Sequence, residues 1–520
     1  MDLSPTLYSV GACWGKAGRS ARLGSDWSAR LARTGPLGSA RPGAQPPRAP
    51  SRLGLACSPG VPGSRRLACD NRPPVTESSA PADASAGDTS PASARALAST
   101  SRSRASRHAT DPRPGLSGLA EGALEAWLAA EGQPAYRAKQ IRDGVWRRNA
   151  QTTDELHPLP VALRASLDRA FRVDTIAADE VTISDRGLTE KMLHLLSDGA
   201  LIESVLMHYP ARGRGEDGRP EHRERYTLCI SSQAGCAVGC PFCATGELGF
   251  GRDLETAEIL DQVRHAARRL APTVAGGRDA HLTNVVFMGM CEPLLNLDRV
   301  LEAVAALSDP QRFGLGARHV VVSTSGVVPG IRRLTQLNPQ FTLAISLHAA
   351  RDPLRDVLVP LNRRWPVAEV VAAARAHARV TGRRVSYEYV MISGVNDTDV
   401  DADALSALLR GDLAHVNLIP MNPVAHTPWQ ASSPERVTHF AARLREGGIG
   451  ATVRRNRGQD AGAACGQLAA DRAGEPPAPA VAHRREVIIR QSEVAMKGDR
   501  SGERLSADLE AAVAGQKADR

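Results

Sequence analysis

From residue 226 to residue 446, short apolar runs alternate with amphipathic stretches. The runs are YTLCI (226–230), NVVFMG (284–289), HVVVSTS (319–325), FTLAISLH (341–348), RVSYEYVMI (384–392) and HVNLIP (415–420). Between and after them, apolar positions recur at helical spacing over 256–270, 298–308, 329–337, 367–381, 401–410 and 435–446. Near-continuous apolar strands alternating with amphipathic helices predict a parallel sheet covered by helices. The fold class is therefore α/β, and six such units suit an open or closed βα barrel. Ligands of such folds gather at the carboxyl ends of the strands. Glu292, Ser323, Ser346, His348 and Asn422 stand at those ends.

Upstream the pattern changes. Residues 178–209 alternate like the strands of a hairpin, with SDGA (197–200) as the turn, so 176–225 is expected to be a β-hairpin extension. Residues 116–175 carry apolar positions at helical spacing and predict a small helical domain. Residues 1–115 are rich in Ser, Ala, Pro, Gly and Arg and lack periodic hydrophobicity. They bury too little apolar surface to offset chain entropy and are expected to be disordered. The segment 471–520 is expected to be an exposed tail, which leaves 226–470 as the main domain.

Charge sharpens this division. The 520 residues carry a net charge of +9, but residues 1–115 hold 16 Lys+Arg against 7 Asp+Glu. The other 405 residues hold 49 of each sign. Overall basicity thus says nothing about what the folded part binds; only local clusters such as Arg454, Arg455 and Arg457 bear on that. Five lysines against 60 arginines point to the codon usage of a GC-rich, bacterial genome. The Arg- and Ser-rich leader has the composition of an organelle transit peptide, though its prolines and glycines oppose an amphipathic helix; a start codon set too far upstream accounts for it equally well. No run of eighteen apolar residues and no secretory leader are evident, so a cytoplasmic protein without membrane association is expected.

The chemistry begins in LCISSQAGCAVGCPFCATG (228–246). Cys236, Cys240 and Cys243 are spaced C-x3-C-x2-C, and Cys229 stands seven residues upstream. A structural zinc site pairs two short knuckles, or one knuckle with histidines. No second knuckle exists here, and Cys229 lies inside a predicted strand. A [4Fe–4S] cluster normally takes four thiolates, so three leave one iron open to a chelating ligand. The spacing, with Phe242 before the third cysteine, resembles the radical S-adenosylmethionine (SAM) superfamily; zinc or a simple redox cluster is the other reading. The superfamily resemblance implies a partial (β/α)6 barrel, a [4Fe–4S] cluster on Cys236, Cys240 and Cys243, and SAM at the open iron. Glu292, in GMCEP (289–293), would grip the SAM ammonium group; its plain alternative is a turn-capping acid.

Residues 116–470 as a whole resemble the RlmN family. The blocks include YRAKQI, STSGVVPGIRRL, AISLHA, RDVLVPLN, YEYVMISGVND, NLIPMNP and RGQDAGAACGQLA. The resemblance implies a dual-specificity methyltransferase acting on C2 of an adenine in 23S rRNA and in some tRNAs. It implies that Cys465 carries the methyl group, that Cys229 resolves the protein–RNA link, and that Glu203 is the proton acceptor. It implies SAM contacts from Cys291 and Glu292, Ser323, Ser346, Leu347, His348 and Asn422. Two SAM per turnover, a flavodoxin or ferredoxin as electron donor, and a monomer are likewise expected from it. Without the resemblance, Glu203 reads as a surface charge of the hairpin, and each lone cysteine as a small buried hydrophobe.

One position departs from the family pattern: Cys291 stands where GMGEP has its second glycine. Its Cβ and sulfur are expected to crowd the methionine end of SAM or to force a local shift. The helical segment, with Arg137, Lys139, Arg142, Arg147 and Arg148, is expected to contact RNA phosphates, a solvated helix face being the alternative. Two rival functions remain: a Cfr-type methyltransferase acting on adenine C8, and a non-catalytic RNA-binding relative with an impaired SAM site.

Overall fold

A ten-stranded sheet runs through the chain, which the computed structural model describes over residues 111–213, 223–270, 281–424 and 427–469. The expected tail 471–520, and 1–110 of the expected leader, lie outside the described residues. Residues 113–115 are already bonded to the folded part: Arg172 donates its backbone N–H to the Pro114 carbonyl at 3.0 Å and its Nε to the Arg113 carbonyl at 2.6 Å.

The first four strands, β1 (Ile176–Ser184), β2 (Thr189–Leu196), β3 (Leu201–Tyr209) and β4 (Arg225–Ile230), pair antiparallel in sequence order. The predicted hairpin is thus joined by a third strand, and it continues the main sheet because β3 pairs with β4 (Val205 opposite Cys229). A small separate hairpin follows, β5 (Gln233–Gly235) with β6 (Phe250–Asp253).

From β4 onward the sheet is parallel, through β7 (Asn284–Phe287), β8 (Val320–Thr324), β9 (Thr342–Ser346), β10 (Val385–Met391), β11 (Ala414–Pro420) and β12 (Ala451–Val453). All six predicted strands form. β12 was not foreseen, because three residues are too few to show a pattern. The helices covering the sheet match the periodic stretches: Thr256–Leu270, Leu297–Ser308, Val328–Leu337, Val367–Thr381, Asp399–Leu409 and Pro434–Glu446. Asp352–Leu358 is an additional short helix that the sequence pattern did not reveal.

The helix Thr256–Leu270 is buried on two sides. Ile259, Leu260, Val263 and Ala266 are fully buried, and fully burying one large aliphatic side chain contributes about 1.5–3 kcal/mol. Its other face binds the helical segment through a buried ion pair. Arg264 donates to Asp261 at 2.5 Å, to the Val173 carbonyl at 2.9 Å and to the Val145 carbonyl at 3.1 Å, and also to the Ala150 carbonyl. Asp261 in turn accepts from the Thr175 N–H at 2.8 Å and hydroxyl at 2.7 Å. Each buried polar atom of the pair is thereby satisfied, the condition under which burying charge is tolerated. Among the described residues no helix is long and apolar enough to cross a membrane.

Candidate active site

A cleft of about 1080 Å³, counting its open mouth, lies at the carboxyl ends of the parallel strands. Cys236, Cys240 and Cys243 line one wall, and the strand-end residues line the rest.

The three-cysteine loop is closed at its base by the β5–β6 hairpin. Cys236 donates its backbone N–H to the Gly249 carbonyl at 2.8 Å. Gly235 makes this approach possible: its φ is +85°, and a Cβ there would lie 1.9 Å from the Gly249 carbonyl oxygen. Cys243 then donates to the Cys240 carbonyl at 3.1 Å. The apolar residues Leu354, Leu358, Val390 and Met421 pack beneath Cys236, Cys240 and Phe242. Burial pushes the Cys236 thiol up to about 12 and raises Cys240 and Cys243 as well. For Cys240 the charges of Cys243 and Cys236 raise it further. Three half-buried thiols on one cleft wall that resist ionisation alone suit a shared metal centre, whose positive charge would offset that cost. The all-sulfur donor set and single loop fit a three-thiolate iron–sulfur site. Cys229, on β4, is not on the cleft wall, whereas the three loop cysteines are.

The strand-end residues converge, but several are already engaged. Glu292 accepts from the Ser325 N–H at 2.6 Å, the Ser325 hydroxyl at 2.5 Å and the Leu294 N–H at 3.1 Å. Burial still raises its pKa despite these bonds. It therefore serves as a turn-holding acid and also lines the cleft. Ser323 donates its hydroxyl to the Phe287 carbonyl at 2.6 Å. Ser346 lines the cleft. Leu347 has its side chain in the core and offers only backbone to this region. His348 stands at φ +61°, a strained position for a non-glycine residue. Val390 donates to its Nδ1 at 3.1 Å, and Asn396 donates to its carbonyl at 2.9 Å. Burial lowers the imidazole pKa to about 3, so the ring is neutral with its proton on Nε2.

Cys291 lines the cleft, and its φ lies outside the left-handed region. The backbone therefore does not require glycine here; what the cysteine adds is volume, with its thiol directed to the Gly289 carbonyl at 3.7 Å.

Cys465 is carried onto the cysteine loop by its neighbours. Ala244 donates its N–H to the Gly466 carbonyl at 2.7 Å, and Thr245 donates its hydroxyl to the Leu468 carbonyl at 2.7 Å. Gly466, at φ +85°, lets the chain pass close to the Phe242 carbonyl. Cys465 remains exposed to the cleft, yet surrounding protein pushes its thiol up to about 11, with the charge of Cys243 adding to the effect. Cys229 packs against a small apolar cluster of Leu193, Val205, Met290, Ala463 and Leu468, the last two of which flank Cys465. Burial, and then the charge of Cys465, push the Cys229 thiol up to about 12. Neither thiol is in a disulfide. Two cysteines 236 positions apart in sequence are thus brought into the same part of the fold, close enough for the charge of one to act on the other.

Glu203 does not line the cleft. It is fully buried on β3, 3.0 Å from Lys191 Nζ, which corrects the surface-charge reading. Its position on β3 is opposite that of Ser231, just past the end of β4, and the Ser231 hydroxyl donates to the Glu203 carbonyl at 2.6 Å.

Three cleft-region residues were not assigned to the site from the sequence. Arg454 lines the cleft and lowers both the Cys229 and Cys465 thiols by its charge, the opposite of what burial does. Glu388, buried on β10, accepts from Asn417 at 2.8 Å and lies 3.6 Å from Arg454. Arg355, fully buried, donates to the carbonyls of Ser325 (2.7 Å), Leu347 (2.9 Å) and Ser346 (3.2 Å), and so ties together the ends of β8 and β9. Arg454 was visible only as part of a basic cluster, and Arg355 sits on the short helix the pattern missed. In the helical segment the cations are largely matched by acids. Lys139 and Arg147 both pair with Asp143, at 2.5 and 3.1 Å, and Arg142 pairs with Glu125.

Comparison with known proteins agrees with this geometry. Residues 230–406 match the family model described as the Radical SAM superfamily. A protein of Frankia alni named "Probable dual-specificity RNA methyltransferase RlmN" is 49% identical over 372 residues, covering 71% of this chain and 86% of its own. One of the same name from Mycobacterium sp. (strain KMS) is 45% identical over 380 residues, covering 71% of this chain and 97% of its own. The crystal structure of a radical SAM methyltransferase from Sphaerobacter thermophilus is 46% identical and superposes with a TM-score of 0.64, covering 69% of this chain and 99% of that one. With identity at this level over more than two thirds of its length, the chain belongs to the RlmN family of dual-specificity RNA methyltransferases, within the radical SAM superfamily.

Proposed function

We propose that this RNA methyltransferase transfers a methyl group to C2 of an adenine in 23S rRNA and in some tRNAs, with Cys465 as methyl carrier and Cys229 as resolving thiol. The observation that carries this reading is that Cys229 packs on the apolar cluster whose members flank Cys465, with the charge of Cys465 acting on the Cys229 thiol, beside the three-cysteine loop. C2 lies between two ring nitrogens and is electron-poor, so it is a weak nucleophile toward SAM's methyl group, whereas a carbon radical adds to such a position. Cys236, Cys240 and Cys243 would hold a [4Fe–4S] cluster, which together with bound SAM would supply the radical chemistry.

Each protein group then has a defined task. Cys465, exposed to the cleft, takes a methyl group on sulfur and presents it to the radical source. Arg454 favours its thiolate for that first transfer. Loss of hydrogen from the S-methyl group leaves a carbon radical on Cys465, which bonds to C2. The family resemblance assigns the C2 proton to Glu203, which is buried beside Lys191 and outside the cleft lining. Cys229, as thiolate, attacks the Cys465 sulfur: the S–S bond forms, the S–CH2 bond breaks, the freed CH2 carbon takes a proton to become the methyl group, and the one surplus electron of the radical adduct would return to the oxidised cluster. Two SAM molecules are consumed, one as methyl donor and one as radical source. The backbone of Leu347 and the side chains of Cys291, Glu292, Ser323, Ser346, His348 and Asn422 hold SAM. The target base leaves its stack to reach this cleft. A flavodoxin or ferredoxin supplies the electron, and the enzyme acts as a cytoplasmic monomer.

The test is nucleoside mass spectrometry after reaction of the reconstituted enzyme with rRNA and tRNA fragments. 2-Methyladenine in both is expected. 8-Methyladenine would assign C8 chemistry instead, and SAM left uncleaved beside an intact cluster would overturn the catalytic reading.

A further inference from the structure

Away from the cleft, three metal-ligating side chains meet where β1, β2 and the helix Thr256–Leu270 converge. Asp179 on β1 and His194 on β2 are directly paired across the antiparallel ladder. His265 comes from the helix, and its Nδ1 lies 3.2 Å from Asp179 Oδ2. One ligand atom from each of the three residues falls within 4.8 Å of the others.

The outer nitrogens of both rings are already held. His265 Nε2 lies 2.7 Å from Asp174 Oδ2, and His194 Nε2 lies 2.8 Å from the Ser204 hydroxyl. A polar group gripping one nitrogen of each ring is the arrangement that orients imidazoles for a metal. His194 is fully buried, yet its Nδ1 has no hydrogen-bond partner. A buried ring nitrogen left unsatisfied is costly and calls for an occupant. Asp179 keeps about a third of its side chain exposed, which leaves a path from solvent and room for a water ligand.

We propose that Asp179, His194 and His265 bind a divalent zinc ion, with Asp174 and Ser204 as positioning residues. Two imidazoles, one carboxylate and a water form a donor set that zinc accepts. Tetrahedral donors at about 2.0–2.1 Å from zinc stand about 3.4 Å apart, so small rotations of His194 and Asp179 close the shell. In the metal-free chain the two carboxylates, acting against burial, hold a proton on His265, raising it to about 9. Zinc would displace that proton. The ion would tie the antiparallel strands to the helix. Through Gln151, whose Nε2 lies 2.9 Å from His265 Nε2, it would also reach the helical segment.

The test uses full-length protein with its iron–sulfur cluster reconstituted, so that the loop cysteines are occupied, incubated with Zn²⁺ and dialysed. Metal analysis is expected to find one zinc per chain beyond the cluster iron. X-ray absorption at the zinc edge should show only nitrogen and oxygen neighbours. Asp179→Asn and His194→Gln should each lose the zinc while keeping full iron content, which also confirms folding. Asp174→Asn should weaken binding about 10–100-fold. Absence of retained zinc in the wild type, sulfur neighbours, or undiminished zinc in both ligand variants would overturn the proposal.

Discussion

Asn422 holds Cys465 in place: its side-chain Nδ2 donates to the Cys465 carbonyl oxygen at 2.9 Å. The amide is itself oriented, because Gln459 donates to Asn422 Oδ1 at 2.6 Å. Asn422 follows β11 and Cys465 follows β12, so one amide links two strand ends to the cysteine loop.

Removing that amide should loosen Cys465 without unfolding the barrel. Asn422→Ala is expected to cost about 1 kcal/mol of stability. Its methylation rate should fall much further, with cluster content unchanged. Chemical denaturation and single-turnover assays with reconstituted enzyme separate the two effects. Wild-type turnover would show that Asn422 does not position the thiol.

The two thiols should fail in different ways. Cys465→Ala is expected to abolish methylation, whereas Cys229→Ala should accumulate a covalent protein–RNA adduct visible as a gel shift with labelled RNA. Normal turnover by Cys229→Ala would remove it from the mechanism.

Arg454 predicts a pH signature. Burial holds the Cys465 thiol near 11, well above neutrality, so its thiolate fraction at pH 7 is small. With a raised pKa the protonated form dominates until pH approaches 11. Alkylation of Cys465 in RNA-free enzyme should therefore climb about tenfold per pH unit from 7 to 10, with no plateau near the ordinary thiol value of about 8.5. Arg454→Gln should slow labelling at every pH in that range, because the cation lowers the thiol pKa. Mass-spectrometric labelling rates decide this; unchanged rates in the variant would show that the guanidinium does not act on the thiol.

Cys291 differs from the family's glycine in volume and not in backbone demand, since its φ is not in the left-handed region. Cys291→Gly should tighten SAM binding in equilibrium dialysis. The same change should lower stability by roughly 0.5–1 kcal/mol through added chain entropy. No gain in SAM affinity would show that the cleft accommodates the sulfur.

What was legible in the sequence was local. Strand and helix alternation from 226 to 446 follows from side-chain period, so six strands and their helices could be placed within a few residues. The cysteine loop was legible because its three donors lie within eight residues. Strand-end polar residues reached the cleft because every parallel strand must point the same way. β12 and the helix Asp352–Leu358 were not legible, being too short for their periods to register.

Only the tertiary structure decided what depends on register and packing across distant segments. The pairing of Val205 with Cys229 fixes where Glu203 lies, and packing buries that acid against Lys191 instead of leaving it in solvent. The backbone bonds from Ala244 and Thr245 bring Cys465 to the cysteine loop and so to Cys229. Family resemblance pairs those thiols; no residue spacing does. Arg454 faces the cleft because β12 adds to the sheet edge, and Asp179, His194 and His265 meet because a helix packs against an antiparallel pair. Composition and periodicity carry no trace of such meetings, because contacts between remote segments arise only when the whole chain closes on itself.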